Sequence, residues 1–302
     1  MMIFDCAIIG AGPAGLNAAL VLGRARRSVA LFDNGTNRNR VTLESHGYLT
    51  RDGIKPAEFK RIGFQELERY PSVQLVAGTI NQVMKQQRHD RFHIVTSGDK
   101  EYIAERIILA TGVQEEHPSV PEIENYYGIS LHSCPYCDGW ERRDQALIVI
   151  AEKEKSVLHL TKLVFNWSKD LLVATNGKTL SAFAIAELRK RDIEVVMEPI
   201  KKLHGKEGYL QKVEFASGLI RDREGGFISP KFYRSNPFLE QLGCELKDNE
   251  AVEMDALGRT SQKNIYVAGE YGQLSPSALI LSAADGFNAA VAVNTDITEE
   301  RF

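Results

Sequence analysis

Two cysteines three positions apart, Cys134 and Cys137, are the residues of this sequence best suited to do chemistry. They lie in the run H-S-C-P-Y-C-D-G-W-E, residues 132–141. Thiols at positions i and i+3 of a helical turn share one face and come close enough to form an exchangeable disulfide. A place at the N-terminus of that turn would favour the thiolate of Cys134. The spacing therefore predicts a redox-active dithiol.

Three other interpretations compete for this C-x-x-C pattern. A structural zinc site needs about four ligands, and the sequence has no second C-x-x-C, only His132 or Asp138 nearby. A structural disulfide is uncommon in the cytosol, and an inert buried pair would hardly precede Asp-Gly-Trp. We therefore expect no metal site. The other cysteines, Cys6 and Cys244, adjoin apolar residues and are interpreted as buried small hydrophobes.

A glycine-rich loop near the N-terminus indicates a bound dinucleotide. Gly10 permits a tight turn, Gly12 lets backbone N–H groups approach a pyrophosphate, and Gly15 lets a helix pack on a strand. Asp33 lies 18 positions beyond Gly15 and can accept hydrogen bonds from a ribose diol. The alternative is a glycine turn with no ligand. The complete G-x-G-x-x-G run is Gly10, Ala11, Gly12, Pro13, Ala14 and Gly15.

The elements that must position these motifs follow from apolar runs. Strands are predicted at residues 3–10 and 28–33, with a helix at 14–22 between them. Further buried strands are predicted at 106–110, 146–150 and 264–268. The weaker alternation at 73–96 and 201–215 favours small antiparallel sheets. The sequence thus predicts a doubly wound α/β protein.

Composition narrows the class of protein. The 302 residues predict about two domains. A net charge of −3 argues against a nucleic-acid binder, and no apolar run reaches the ~18 residues of a membrane span. No export signal is visible at the N-terminus. We therefore expect a cytoplasmic enzyme that binds neither nucleic acid nor membrane.

Two later glycine turns complete a family pattern. They are Ala110-Thr111-Gly112 and Ala268-Gly269-Glu270, each of which closes an apolar strand. From residue 5 to about 293 the chain resembles the low-molecular-weight thioredoxin reductases. The resemblance implies FAD on the first loop, Thr111 and Gly112 beside it, and the last turn on its ribityl chain. Glu270 stands where that family has aspartate. The resemblance also places His46 near the isoalloxazine, where the alternative is an ordinary hydrogen-bonded loop histidine.

The resemblance assigns roles and domains as well. Cys134 would exchange with the partner's disulfide, Cys137 would face the isoalloxazine, and Asp138 would be the general acid and base. From the residues alone, Asp138 is as readily a helix cap or a solvated carboxylate. Residues 1–113 and 235–302 would form an FAD-binding domain, with a second Rossmann-like domain, 114–234, inserted in it. Homodimers are the rule in this family.

One feature departs from the family. There a second glycine loop holds NADPH after the strand that follows the dithiol, whereas here residues 151–156 read A-E-K-E-K-S. Side chains would block the pyrophosphate, and Glu152 and Glu154 would put carboxylates where phosphates belong. The next strand leads to Asn176-Gly177-Lys178, with no arginine pair for a 2′-phosphate.

This departure predicts an FAD and dithiol enzyme without the usual NADPH site. Its substrate would be a thioredoxin-like protein or a small-molecule dithiol or disulfide, and its other redox partner O2 or ferredoxin. One rival is an NADPH-dependent thioredoxin reductase with a diverged loop. Another is a non-catalytic flavin-binding redox sensor.

Overall fold

The structure, a computed structural model, describes residues 2–86 and 90–302. They divide into two units. Unit 1 contains the residues up to Arg40, Tyr48–Gln114 and Phe232–Phe302, and unit 2 contains Val41–Gly47 and Glu115–Lys231. The predicted division at 113/114 and 234/235 did not include the grouping of Val41–Gly47 with the second unit.

Helices and strands are numbered in chain order over the described residues. The strands are β1 Ile3–Phe4, β2 Cys6–Ile9, β3 Val29–Asp33, β4 Val73–Ala77, β5 Ile80–Gln86, β6 Arg91–Thr96, β7 Glu101–Ala104, β8 Ile107–Leu109, β9 Gln114–Glu116, β10 Leu131–His132, β11 Leu147–Ile150, β12 Leu171–Ala174, β13 Glu194–Val196, β14 Ile200–Lys206, β15 Tyr209–Phe215, β16 Ile220–Asp222, β17 Gly225–Ile228, β18 Lys231–Tyr233 and β19 Ile265–Val267. The helices are α1 Pro13–Arg24, α2 Pro56–Leu67, α3 Pro135–Asp138, α4 Glu154–Val164, α5 Ala182–Arg189, α6 Phe238–Gln241, α7 Glu270–Gln273 and α8 Leu279–Arg301.

Unit 1 contains a parallel sheet in the order β19-β8-β2-β3-β4. Strands β2 and β8 are buried throughout, as expected for strands covered on both faces. Helices α1 and α8 pack closely, since a Cβ on Gly286 would lie 2.0 Å from the carbonyl oxygen of Ala14. The doubly wound α/β fold is thus confirmed for this unit, with the carboxyl ends of its strands at one edge.

One strand boundary and one strand pairing predicted for unit 1 were wrong. The strand predicted at 3–10 is two strands, because Asp5 turns aside to accept hydrogen bonds from the N–H and hydroxyl of Ser28. β1 then pairs with β7, not with the main sheet. The alternation at 73–96 favoured small antiparallel sheets or hairpins, but β4 pairs in parallel with β3. The antiparallel pairing begins at β5, which pairs with β6, and β6 pairs in turn with β7.

Unit 2 repeats this architecture. Its parallel sheet has the order β10-β17-β11-β12-β13. Strands β14, β15 and β16 form a separate antiparallel sheet, as the alternation at 201–215 predicts. None of the helices in the described part of either unit has the length and apolar character needed to cross a bilayer.

Candidate dithiol and dinucleotide sites

A cavity of about 470 Å³ lies in unit 1 at the carboxyl ends of β2, β3, β8 and β19. In open α/β sheets, ligands bind at this edge. The predicted cofactor residues that line the cavity are Gly10, Gly12, Pro13, Ala14, Asp33, Thr111, Gly112, Gly269 and Glu270. The structure therefore brings together the three glycine turns that are far apart in the sequence.

The first glycine loop has the shape that a dinucleotide needs. Gly10 has a φ of +107°, and a Cβ there would lie 2.3 Å from the carbonyl oxygen of Ala110. A Cβ on Gly15 would lie 1.7 Å from the carbonyl oxygen of Gly10, so that glycine lets α1 pack on the loop. At Gly12, in contrast, a Cβ would meet nothing within 4 Å. The loop is therefore closed toward the protein and open toward the cavity, which fits FAD.

Asp33 has a partner that the sequence did not reveal. The ammonium of Lys60, on α2, donates to both carboxylate oxygens of Asp33, at 3.1 and 2.9 Å. Both side chains are largely buried, at 14% and 20% exposure. The predicted ribose acceptor is thus held in place by a cation that arrives from a separate helix.

The other two turns are also supported by distant side chains. The amide of Asn236 donates to the hydroxyl of Thr111 at 3.0 Å and accepts from the hydroxyl of Tyr271 at 2.6 Å. Burial raises the pKa of Tyr271 above its usual value. Glu270 pairs with Arg38, which the sequence placed either near the phosphate or adenine end of the cofactor or in a solvated basic loop, and not with this glutamate. These contacts fix the edges of the cavity.

The predicted dithiol is a disulfide in unit 2. Cys134 and Cys137 are bonded, with their Cα atoms 5.3 Å apart. Cys134 is the N-cap of α3, and Pro135 is the first helical residue, a position that suits proline. The backbone N–H groups of Cys137 and Asp138 both donate to the carbonyl of Cys134 at 3.1 Å. The predicted helical turn with Cys134 at its start is therefore present.

His132 lies beside Asp138 and was not predicted to act. Its Nδ1 is 3.1 Å from Oδ1 of Asp138, and its side chain is 6% exposed. Both ring nitrogens of His132 are buried, and neither makes a hydrogen bond among the described residues. The imidazole is nevertheless close enough to the Asp138 carboxylate to help position it. The motif gave a signal for this pair, since the histidine stands two positions before Cys134.

A second polar cluster reaches the residue before Cys134. The carboxylate of Glu115 accepts hydrogen bonds from the hydroxyls of Tyr127, at 2.5 Å, and Ser133, at 3.0 Å. The ring of His117 contacts that of Tyr127, with the ring centroids 4.0 Å apart and the planes tilted by 51°. Burial alone would lower the pKa of His117, but Glu115 and Glu124 outweigh that effect and raise it. The cluster anchors the chain just before the disulfide.

The carboxylates that follow β11 form hydrogen bonds with other residues of unit 2. The carboxylate of Glu154, the first residue of α4, accepts from the N–H of Ser181 at 2.7 Å and from its hydroxyl at 3.0 Å. Glu152 accepts from the side-chain amide of Asn176 at 3.0 Å. Both partners lie in the loop that follows β12. The two carboxylates therefore bridge the loops where a second dinucleotide would bind.

The remaining predicted residues are placed as follows. His46 belongs to unit 2, where its Nε2 lies 3.7 Å from Glu141, and its contact with the isoalloxazine stays a prediction. Cys6 and Cys244 are buried, and burial raises the pKa of both thiols. Over the described ranges, no group of three or more His, Cys, Asp and Glu residues is arranged to hold a metal ion.

Comparisons with known proteins identify the family of this chain. The family model for pyridine nucleotide-disulphide oxidoreductases matches residues 4–158. The crystal structure of a putative thioredoxin reductase from Bacillus anthracis is 58% identical, with a TM-score of 0.97 over 99% of this chain and 100% of that one. Thioredoxin reductase aclD of Aspergillus oryzae is 29% identical over 96% of this chain and 95% of its own. The thioredoxin reductase of Bacillus subtilis is 26% identical over 98% and 96%. The chain therefore belongs to the pyridine nucleotide-disulphide oxidoreductase family, in its thioredoxin reductase-like class, and is an FAD-dependent oxidoreductase that acts on sulfur groups.

Proposed function

We propose that this enzyme exchanges electrons between a dithiol or disulfide substrate and FAD through Cys134 and Cys137, without binding NADPH in unit 2. The residues around the unit 1 cavity would hold the FAD, with the pyrophosphate at Gly12 and the ribose at Asp33. When bound there, FAD supplies a two-electron acceptor or donor for the thiol–disulfide couple.

The observation that carries the proposal is the hydrogen bonding of Glu154. In a dinucleotide site, the first turn of the helix offers its N–H groups and open space to the pyrophosphate. Here the first residue of α4 is a glutamate whose carboxylate accepts two hydrogen bonds from Ser181. No glycine lies between Ala151 and Ser156 to let a phosphate approach the backbone. The residues present do not fit NADPH.

Charge adds to this steric argument. A phosphate about 4 Å from a carboxylate is repelled by about 4 kcal/mol at an effective dielectric constant near 20. Glu152 and Glu154 would both face such a phosphate, and Lys153 and Lys155 would offset only part of the repulsion. Loss of NADPH affinity follows from these charges as well as from the missing glycine.

The chain's own chemistry is thiol–disulfide exchange. A substrate thiolate attacks Cys134 Sγ, the bond to Cys137 breaks, and the leaving Cys137 thiolate takes a proton that Asp138 can deliver. The second substrate thiol then displaces Cys134, which leaves a substrate disulfide and two enzyme thiols. Reoxidation of those thiols releases two electrons and two protons. A thioredoxin-like protein or a small dithiol is the substrate we propose, with O2 or a ferredoxin-like carrier as the other partner.

The first test is an anaerobic titration of the purified flavoprotein. The visible absorbance of the oxidised flavin is followed while NADPH, NADH and then dithiothreitol are added in turn. We expect dithiothreitol to bleach the flavin and neither nucleotide to do so. Prompt bleaching by NADPH would overturn the proposal. It would favour the second candidate function, an NADPH-dependent thioredoxin reductase, which the similarity to proteins of that name supports.

A pair of variants isolates the role of the carboxylates. In the double variant Glu152→Gln, Glu154→Gln the repulsion is removed, so we expect the rate of flavin reduction by NADPH to rise at least about tenfold. Glu187→Gln is the matched control, because that glutamate lies on α5 in the same unit and pairs with Lys190. A double variant as inert toward NADPH as the wild type would show that the carboxylates are not what excludes the nucleotide.

A further inference from the structure

We propose that Arg38 and Glu270 form an ion-paired bridge over the dinucleotide cavity of unit 1, and that opening this bridge limits the release of FAD. The inference rests on the proposed binding of FAD in that cavity. It gives Glu270 a role that differs from direct contact with the ribityl chain.

The bridge is a bidentate ion pair whose two side chains are largely buried. Nη2 of Arg38 donates to Oε1 of Glu270 at 2.6 Å, and Nε donates to Oε2 at 3.2 Å. The side chains are 20% and 12% exposed, so water screens them less than a surface pair. The Arg38 guanidinium also lies 6.0 Å from the ring centroid of Phe232. Such bidentate pairs are the stronger kind of ionic hydrogen bond.

The sheet order shows what the bridge crosses. Glu270 follows β19 and Arg38 follows β3, and the strands β8 and β2 lie between these two in the sheet. With neighbouring strands about 4.8 Å apart, the strands that precede the two residues are separated by about 14 Å. The pair therefore spans the ends of β2 and β8, where Gly10 and Gly112 lie. Both Arg38 and Glu270 line the cavity.

The length of the glutamate side chain fits this task. Oε1 of Glu270 accepts a second hydrogen bond, from the N–H of Ser277 at 2.8 Å. One carboxylate thus joins the loop after β3 to the segment that precedes α8. The aspartate that the resemblance led us to expect is one methylene shorter, so it could not contact both Arg38 and Ser277 as well as the glutamate does. A ligand seated at Gly10 and Gly12 is then enclosed by the bridge.

The experiment measures how fast the holoenzyme releases FAD, from the recovery of flavin fluorescence after dilution. The variants are Arg38→Gln, Glu270→Gln, the double variant and the milder Glu270→Asp. We expect each single glutamine variant to release FAD about tenfold faster than the wild type. The double variant should release FAD no faster than either single variant, because each single substitution already removes the whole bridge. Glu58→Gln is the control, since Glu58 and Arg61 form an exposed pair elsewhere in unit 1.

The outcomes separate this inference from the proposed function. If Arg38→Gln speeds release while Glu270→Gln slows it or leaves it unchanged, Arg38 holds the anionic cofactor directly and the bridge is refuted. Unchanged release in both single variants and in Glu270→Asp also refutes it, with FAD binding intact. A purified wild-type protein that takes up no FAD would overturn the proposed function and this inference together.

Discussion

Two glycines of one loop, Gly10 and Gly12, are expected to respond differently to replacement by alanine, the first by a loss of stability and the second by a loss of FAD affinity. Gly10 has a φ of +107°, which costs an L-residue about 1–2 kcal/mol. Its new Cβ would also lie 2.3 Å from the carbonyl oxygen of Ala110. That oxygen cannot easily yield, because the N–H of Ala110 is bonded to the carbonyl of Ile9 at 2.9 Å. We expect Gly10→Ala to lose about 3 kcal/mol of unfolding free energy.

Gly12→Ala should leave the stability of the fold nearly unchanged and weaken the binding of FAD. Gly12 has an ordinary φ of −76° and open space around its hypothetical Cβ, so the stability change should stay within about 1 kcal/mol. The methyl group would project into the space that a pyrophosphate needs. Loss of one close ionic hydrogen bond, about 2 kcal/mol, weakens FAD binding about thirtyfold.

The assay compares both variants without and with cofactor. Denaturant unfolding of the flavin-stripped protein gives the stability, and quenching of flavin fluorescence on titration gives the FAD affinity. Gly98→Ala is the control, because that glycine also meets nothing within 4 Å and lies outside the cavity. Equal stability losses in Gly10→Ala and Gly12→Ala, or an unchanged FAD affinity in Gly12→Ala, would refute the reasoning.

Two further predictions concern unit 2. Asp138→Asn should slow reduction of the Cys134–Cys137 disulfide by dithiothreitol about a hundredfold, and His132→Gln about tenfold, because the histidine acts through the carboxylate. Thiol alkylation followed by mass measurement reports this step, and equal rates in all three proteins would contradict the role. The raised pKa of His117 stabilises the fold fully below its unfolded pKa of about 6.5, and the contribution is lost as pH rises through the folded pKa. The melting temperatures of wild type and His117→Gln should therefore differ more near about pH 6 than near about pH 9. A larger difference at the higher pH would contradict the stabilising role of protonated His117.

The motifs were predictable because each is local. A C-x-x-C turn, and a glycine at the end of a buried strand, depend on neighbours within a few positions. The pairs that support them are not local. Lys60 reaches Asp33 from a separate helix, and Arg38 reaches Glu270 from 232 positions away. Only the arrangement of strands in the sheet brings such side chains together.

The wrong assignment of β4 has a physical cause. Residues Val73–Ala77 expose most of their side chains, with only Val76 buried. An edge strand of a parallel sheet needs little apolar cover, so its pattern is that of a strand in a small antiparallel sheet. Its pairing with β3 depends on the chain that returns through α2. Sequence alternation alone cannot distinguish the two cases.

The two Rossmann-like units differ in what occupies the first turn after their central strand. In unit 1 no side chain fills that turn at Gly12, where the space beside the backbone is open. In unit 2 it is the carboxylate of Glu154, which already accepts two hydrogen bonds from the loop before α5. A glycine restored there would regain the shape of a nucleotide loop but would leave those donors without the carboxylate, at about 1–3 kcal/mol. The contacts that stabilise unit 2 are therefore the same ones on which the proposed absence of an NADPH site rests.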